Sequence, residues 1–193
     1  MDIYDDYYQK TIKDRGVESG EAVGYSSGKR EDLIEAMGQD VDILALNAGE
    51  EILDFGAGNL LLYDAIQLHH PKIKPISYTA IERNHRFFDY IQGRGIEVFA
   101  TLPTNRSWDV VALWHVLGGL SLYDATELVS KLFIAARKRM IIRDDVNPEN
   151  VDRVLSWSDV SQIIRDGIPH FDYLEVNFAT ADFFTVAVYK SPI

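Results

Sequence analysis

Ile52-Leu53-Asp54-Phe55-Gly56-Ala57-Gly58 decides how this chain is read. A short apolar run carrying one acid leads straight into two glycines, and Leu60 to His70 follows as a helix stopped by Pro71. Glycine lets a backbone turn tightly and approach a ligand, and the start of a helix offers free amides. A dinucleotide site wants a third glycine two or three positions on and a turn clear for a pyrophosphate. Leu60 and Leu61 occupy those positions, and Asp54 stands two residues before the first glycine. A carboxylate there suits a ligand with a cationic end, such as the ammonium of an amino acid. A bare structural turn is the competing reading.

Working outward, short apolar runs alternate with amphipathic stretches, the pattern of strands and crossover helices. Glu51 to Phe55 is the first strand and Ile76 to Glu82 the second. Asn84 is placed to cap a helix from His85 to Gln92 that stops at Gly93. Ile96 to Phe99 is a third strand. Trp108 to Trp114, apolar almost throughout, is a fourth, as a strand buried on both faces should be. Ser121 opens a helix to about Ala136, and Met140 to Ile142 is the fifth strand. Trp157 to Asp166 is a helix closed by Gly167. Tyr173 to Phe178 and Phe184 to Tyr189 are separated only by Ala179 to Asp182, too short for a crossover, so they pair antiparallel.

Upstream, Ile3 to Arg15 and Glu31 to Leu46 read as helices, joined by a stretch from Gly16 to Gly28 with four glycines in 13 residues. Residues 1–48 are therefore expected as a helical cap segment and 49–193 as a core, within a single domain. The 193 residues carry 19 basic and 30 acidic side chains, a net charge of −11. Residues 1–50 hold 12 acids and 5 bases, leaving only −4 for the rest. An acidic chain is a poor binder of phosphate backbones. With no cysteine, disulfides, thiolate metal sites and cysteine nucleophiles are excluded. The start lacks a basic and then apolar leader, and Val110 to Leu122, the most apolar long window, is too short to span a bilayer. A soluble, cytoplasmic protein is the expectation.

Glu82 tests the glycine turn. An acid ending the second strand of such a sheet sits beside the turn and can accept both hydroxyls of a ribose. Glu82, in Thr79-Ala80-Ile81-Glu82-Arg83-Asn84, stands there, 28 residues after Asp54.

From Glu50 to Tyr189, roughly three-quarters of its length, the chain resembles the class I S-adenosylmethionine-dependent methyltransferases. Ile52 to Gly58 resembles that family's first motif, and Glu82 its ribose-binding acid. Trp108-Asp109-Val110-Val111 leading to Trp114-His115-Val116-Leu117 resembles the fourth-strand motif, and the terminal hairpin the family's reversed last strand. Gly20 to Ser27 is similar to a segment in a small bacterial and phage subgroup. The resemblance implies an α/β, Rossmann-like three-layer sandwich: a seven-stranded, mostly parallel sheet with an antiparallel C-terminal hairpin and a helical N-terminal cap. It also implies S-adenosylmethionine as cofactor, held by Asp54, Gly56, Ala57, Gly58, Glu82, Arg83, Thr101, Leu102, Trp114 and Tyr25. Two positions depart from the family pattern: Leu60 replaces the third glycine, and Phe99 to Pro103 lacks the usual adenine-contacting acid. They motivate an alternative, a catalytically degenerate fold serving as a binding or scaffold module.

Methyl transfer needs alignment, exclusion of water and a free lone pair on the acceptor; a base is needed only for a protonated acceptor. His115, near the carboxyl end of the fourth strand, is the candidate base, with a hydrogen-bonded structural histidine as the rival. Tyr4, Tyr7, Tyr8 and Tyr25 offer aromatic faces or hydroxyls to a substrate, or simply pack. His69-His70 reads as cations at a helix end rather than metal ligands, and no metal is expected. Arg137-Lys138-Arg139 reads as a solvated approach to the fifth strand, with Arg143 beyond it. No Asn-Pro-Pro-Tyr-like sequence follows the fourth strand, and residues 108–122 contain no lysine or arginine. The expected acceptor is accordingly a small molecule or a protein group, with nucleic acid and membrane disfavoured as partners.

Overall fold

The structure, a computed structural model, describes residues 10–19, 29–73, 77–145, 156–168, 170–171, 173–180 and 183–190. Residues 10–15 are helical, followed by α1 (Arg30–Ala36) and α2 (Gly38–Ile43). Then come β1 (Glu51–Phe55), α3 (Leu61–His69), β2 (Ser77–Ile81), α4 (His85–Gly93), β3 (Glu97–Phe99), β4 (Trp108–Trp114), α5 (Leu122–Ala135), β5 (Ala136–Asp145), α6 (Trp157–Gly167), β6 (Tyr173–Thr180) and β7 (Phe183–Tyr189). The helix starts follow from their caps. The Asn84 side chain accepts from the Arg86 amide, Ser121 from the Asp124 amide, and Ser156 forms a reciprocal capping box with Asp159.

The strands are hydrogen-bonded in the order β3-β2-β1-β4-β5-β7-β6. β1 to β4 and β4 to β5 run parallel, with Asp54 opposite Ala112 and Ala112 opposite Ile141. β7 runs antiparallel to β5, Ile141 opposite Ala187, and β6 antiparallel to β7, as the short link between them requires. The central strands are apolar because both their faces are covered: Ile52, Leu53, Val110, Val111, Ala112, Leu113, Met140, Ile141 and Ile142 have no exposed surface. Two compact units are distinguished, one of Met1–Gly49 with Ala57–Pro103, the other of Glu50–Gly56 with Thr104–Ile193.

Three expectations need correction. The helix expected over Glu31 to Leu46 is two helices, because Met37, at φ −77° and ψ 3°, leaves helical geometry. Gly38 follows at a point where a Cβ would lie 2.9 Å from the His69 ring, so a side chain there would require that ring to move. The fifth strand is ten residues, not three, and begins directly where α5 ends. Arg137-Lys138-Arg139 is therefore part of the strand rather than an approach to it; Arg137 and Lys138 are solvated as expected, but Arg139 is not. Arg139 is buried, with Nη1 and Nη2 donating to the Glu50 carboxylate at 3.1 and 2.7 Å. Lys138 Nζ donates to Glu50 at 3.0 Å, and Arg137 pairs with Glu51 and Asp109.

Candidate functional site

In the first unit the glycine turn and the acid after β2 meet. The Ala57 amide donates to the Ile81 carbonyl at 3.2 Å, which lays the turn against the end of β2. The Gly58 amide then donates to Glu82 Oε2 at 2.9 Å, and the Asn84 amide to Glu82 Oε1 at 2.8 Å. Glu82 is 8% exposed. Burial pushes its carboxyl above the ordinary range, opposed by the amides of Asn84, Gly58 and Arg83. An ionised carboxylate has about four acceptor directions, and the amides of Asn84, Gly58 and Arg83 take three, which leaves capacity for a further donor such as a ribose hydroxyl. Arg83, next along, is exposed, while Ala57 is buried. Thr101, exposed, and Leu102, half-buried, follow β3, whose Phe99 carbonyl receives the Glu82 amide at 3.0 Å.

Leu60 adopts φ +67° and ψ 31°, the left-handed region that a glycine would take there. Its side chain has no exposed surface. Leucine at this position thus holds a left-handed backbone and adds a core side chain, at a strain of roughly 1–2 kcal/mol.

In the second unit Asp54 is buried in β1. Gly56, at φ +76°, faces Val116, whose Cγ2 would lie 2.8 Å from a Cβ built on it, so packing as well as the turn demands glycine. Trp114, buried, ends β4; among the described residues its Nε1 has no hydrogen-bond partner. His115 follows at φ +53°, and its amide donates to the Arg143 carbonyl at 2.9 Å. Behind it, the Leu117 and Gly118 amides donate to Asp144 Oδ2 at 2.8 and 3.2 Å. A β-carbon-bearing residue in the left-handed region persists only when its surroundings hold it, and here bonds on both sides do so.

No family model and no curated protein sequence matches the chain. Solved structures do. Magnesium protoporphyrin IX methyltransferase (ChlM) from Synechocystis PCC 6803, with bound SAM, aligns at a TM-score of 0.66 over 99% of each chain, with 12% identity. A SAM-dependent methyltransferase from Archaeoglobus fulgidus gives 0.68 over 95% of this chain and 99% of its own, at 12% identity. Human N-acetylserotonin methyltransferase, in complex with SAM, gives 0.63 over 96% of this chain and 62% of its own, at 13% identity. The chain has a Rossmann-like methyltransferase fold.

Within this methyltransferase fold, the structure joins Gly58 to Glu82 as the spacing implied, and sets His115 at the end of β4. Tyr4, Tyr7, Tyr8 and Tyr25 lie outside the described residues. Among those described, no group of three or more histidine, aspartate or glutamate side chains is placed to hold a metal ion, and no helix is long and apolar enough to cross a membrane. The His69 ring nitrogen Nε2 contacts the Ile34 carbonyl at 3.0 Å. Sequence reasoning missed two groups. Asp144 gave a signal, as an acid ending an apolar strand. The cluster of Arg30, Asn59, Asp64 and Arg94 gave none, because its members are far apart in the chain: Asp64 Oδ2 accepts from Arg30 at 2.5 Å, and its two oxygens accept from Arg94 at 2.7 and 2.9 Å.

Proposed function

We propose that this protein is an S-adenosylmethionine-dependent methyltransferase acting on a small molecule or a protein group. The observation that carries the reading is the bond from the Gly58 amide to the buried Glu82 carboxylate, which unites glycine turn and strand-end acid. The residues fit the cofactor. Glu82 keeps acceptor capacity for a ribose hydroxyl, Asp54 offers a buried carboxylate to an ammonium, and Gly56, Ala57 and Gly58 offer backbone to the methionine portion. Arg83, Thr101, Leu102, Trp114 and Tyr25 complete the proposed contacts. Neighbours of the same fold that hold SAM or SAH support the choice of ligand.

When bound, S-adenosylmethionine would supply an electrophilic methyl group, transferable to an acceptor's lone pair with the neutral thioether as leaving group. This chain's residues have to orient that acceptor and keep water out. For a protonated acceptor, His115 is proposed to take the proton released as the new bond forms. Residues 1–48 are proposed as the cap segment of the 49–193 core. The scaffold alternative drew on Leu60 and on the missing adenine-contacting acid after β3; Leu60 has a left-handed backbone and its side chain is buried in the core.

Titration calorimetry with S-adenosylhomocysteine tests the reading: binding is expected, and none at millimolar ligand overturns it. Glu82→Ala should weaken that binding by about 1 kcal/mol or more, as loss of a charged hydrogen bond does. A tritiated-methyl assay on fractionated extract then identifies the acceptor class, with label expected in the small-molecule or protein fraction.

A further inference from the structure

Arg30 reaches the glycine turn from the other end of its unit's sequence. Its Nη2 donates to the Asn59 carbonyl at 2.8 Å and to Asp64 Oδ2 at 2.5 Å, and its Nη1 to the Glu18 carbonyl at 3.4 Å. Asn59 is 1% exposed and lies between Gly58, bonded to Glu82, and Leu60, held in the left-handed region. Its own Nδ2 donates to the Ser19 carbonyl at 2.9 Å, while its Oδ1 accepts nothing among the described residues. Two bonds therefore fix this residue, one to its backbone and one from its side chain, and both come from the N-terminal segment. Asp64, on the first turn of the helix that the glycine turn opens, is tied to the same guanidinium.

We propose that Arg30 is a positioning residue for the glycine turn, and that cofactor affinity depends on it through Asn59 and Asp64. The inference rests on the methyltransferase reading above. Arg30 touches no ligand in this scheme. It sets the height and tilt of the Gly58–Leu60 backbone, so that the Gly58 amide stays on Glu82 and the carboxylate is presented in one orientation. The turn's two glycines leave its backbone soft, and an outside donor on the Asn59 carbonyl removes that softness. Arg30 suits the task because one guanidinium nitrogen bridges the turn's carbonyl and the helix's carboxylate together.

Neighbouring Arg94 supplies the control. It donates to both oxygens of Asp64 but makes no bond to Asn59, so removing it takes away an ion pair of the same carboxylate without releasing the turn. Conversely, Arg30→Ala leaves Asp64 paired with Arg94, so no buried charge is stranded and the variant should fold.

The test compares the parent with Arg30→Ala, Arg30→Lys and Arg94→Ala in the full chain. Two measurements are made: amide hydrogen exchange at Gly58 and Leu60 without ligand, and S-adenosylhomocysteine affinity by calorimetry. Arg30→Ala is expected to speed exchange at both amides and to weaken binding about tenfold, the loss of one charge-assisted hydrogen bond. Arg30→Lys, whose ammonium can also bridge carbonyl and carboxylate, should recover most of that affinity, and Arg94→Ala should bind like the parent. The proposal is overturned if Arg30→Ala exchanges and binds like the parent. It is equally overturned if Arg94→Ala weakens binding as much, or if lysine rescues nothing, since either marks a general structural role. A parent that binds no S-adenosylhomocysteine overturns the functional reading, and the affinity role with it; faster exchange in Arg30→Ala would then still locate the clamp.

Discussion

At Leu60 two effects oppose each other. Its left-handed backbone costs roughly 1–2 kcal/mol relative to glycine, whereas a fully buried leucine side chain contributes about 3–5 kcal/mol when the cavity left by its loss is included. Burial wins, so Leu60→Gly should lower stability by roughly 2–3 kcal/mol, read as a fall in the urea midpoint. A higher midpoint would show that strain dominates. Glu82 carries a second residue-scale expectation. Burial raises its folded pKa above the ordinary 4.5. Its ionised form is the stronger acceptor, so S-adenosylhomocysteine affinity should be full at neutral pH and decline as pH falls through that raised value, earlier than an ordinary glutamate would allow. For folding the sign reverses: the folded state holds the proton more tightly, so Glu82's own contribution to stability drops as pH rises from 4.5 through the folded value. Glu82→Gln should flatten both dependences. An affinity profile in the parent that is level down to pH 4.5 would contradict the role given to this carboxylate.

At the scale of elements, β4 and β5 show what periodicity can and cannot carry. Trp108 to Trp114 is apolar on both faces, and its ends were legible to the residue. β5 was legible only at its apolar centre, because its first half reads Ala136-Arg137-Lys138-Arg139, and charge in sequence resembles solvent exposure. What converts it to strand is Glu50, 89 positions away, whose carboxylate takes both Arg139 donors inside the protein. No local pattern announces such a partner. The same argument yields a test. Removing one member of a buried pair strands the other's charge, at a cost of about 3–5 kcal/mol, whereas replacing both with apolar groups of similar size is close to neutral. Glu50→Ala should therefore depress the urea midpoint strongly, and Glu50→Leu with Arg139→Met should recover most of it. A mild effect of the single change would mean that Arg139 finds water or another acceptor. The split between α1 and α2 was invisible for a related reason: Gly38 packs closely against the distant His69 ring, not against its neighbours in sequence.

For the whole molecule, the legible parts were those whose cause is local: turn, caps and the final hairpin. The parts missed are ion pairs that close over long separations, and these also change what the net charge of −11 means. Among the described residues, Arg30 and Arg94 face Asp64, Lys131 faces Glu127, and Arg137, Lys138 and Arg139 face Glu50, Glu51 and Asp109. Each member of the chain's one run of three basic residues is thus paired with an acid, and the exposed Arg137 and Lys138 offer a phosphate backbone a partly neutralised surface. Polyanion binding draws its strength from releasing counterions on contact with unpaired cations, and repulsion by the surplus acids acts against it. The protein should pass through a heparin column without retention at physiological ionic strength, and duplex DNA or RNA should not compete with methyl transfer to extract. Retention that is lost steeply as salt rises would instead expose a cationic surface, and would move nucleic acid from the least to the most favoured class of acceptor.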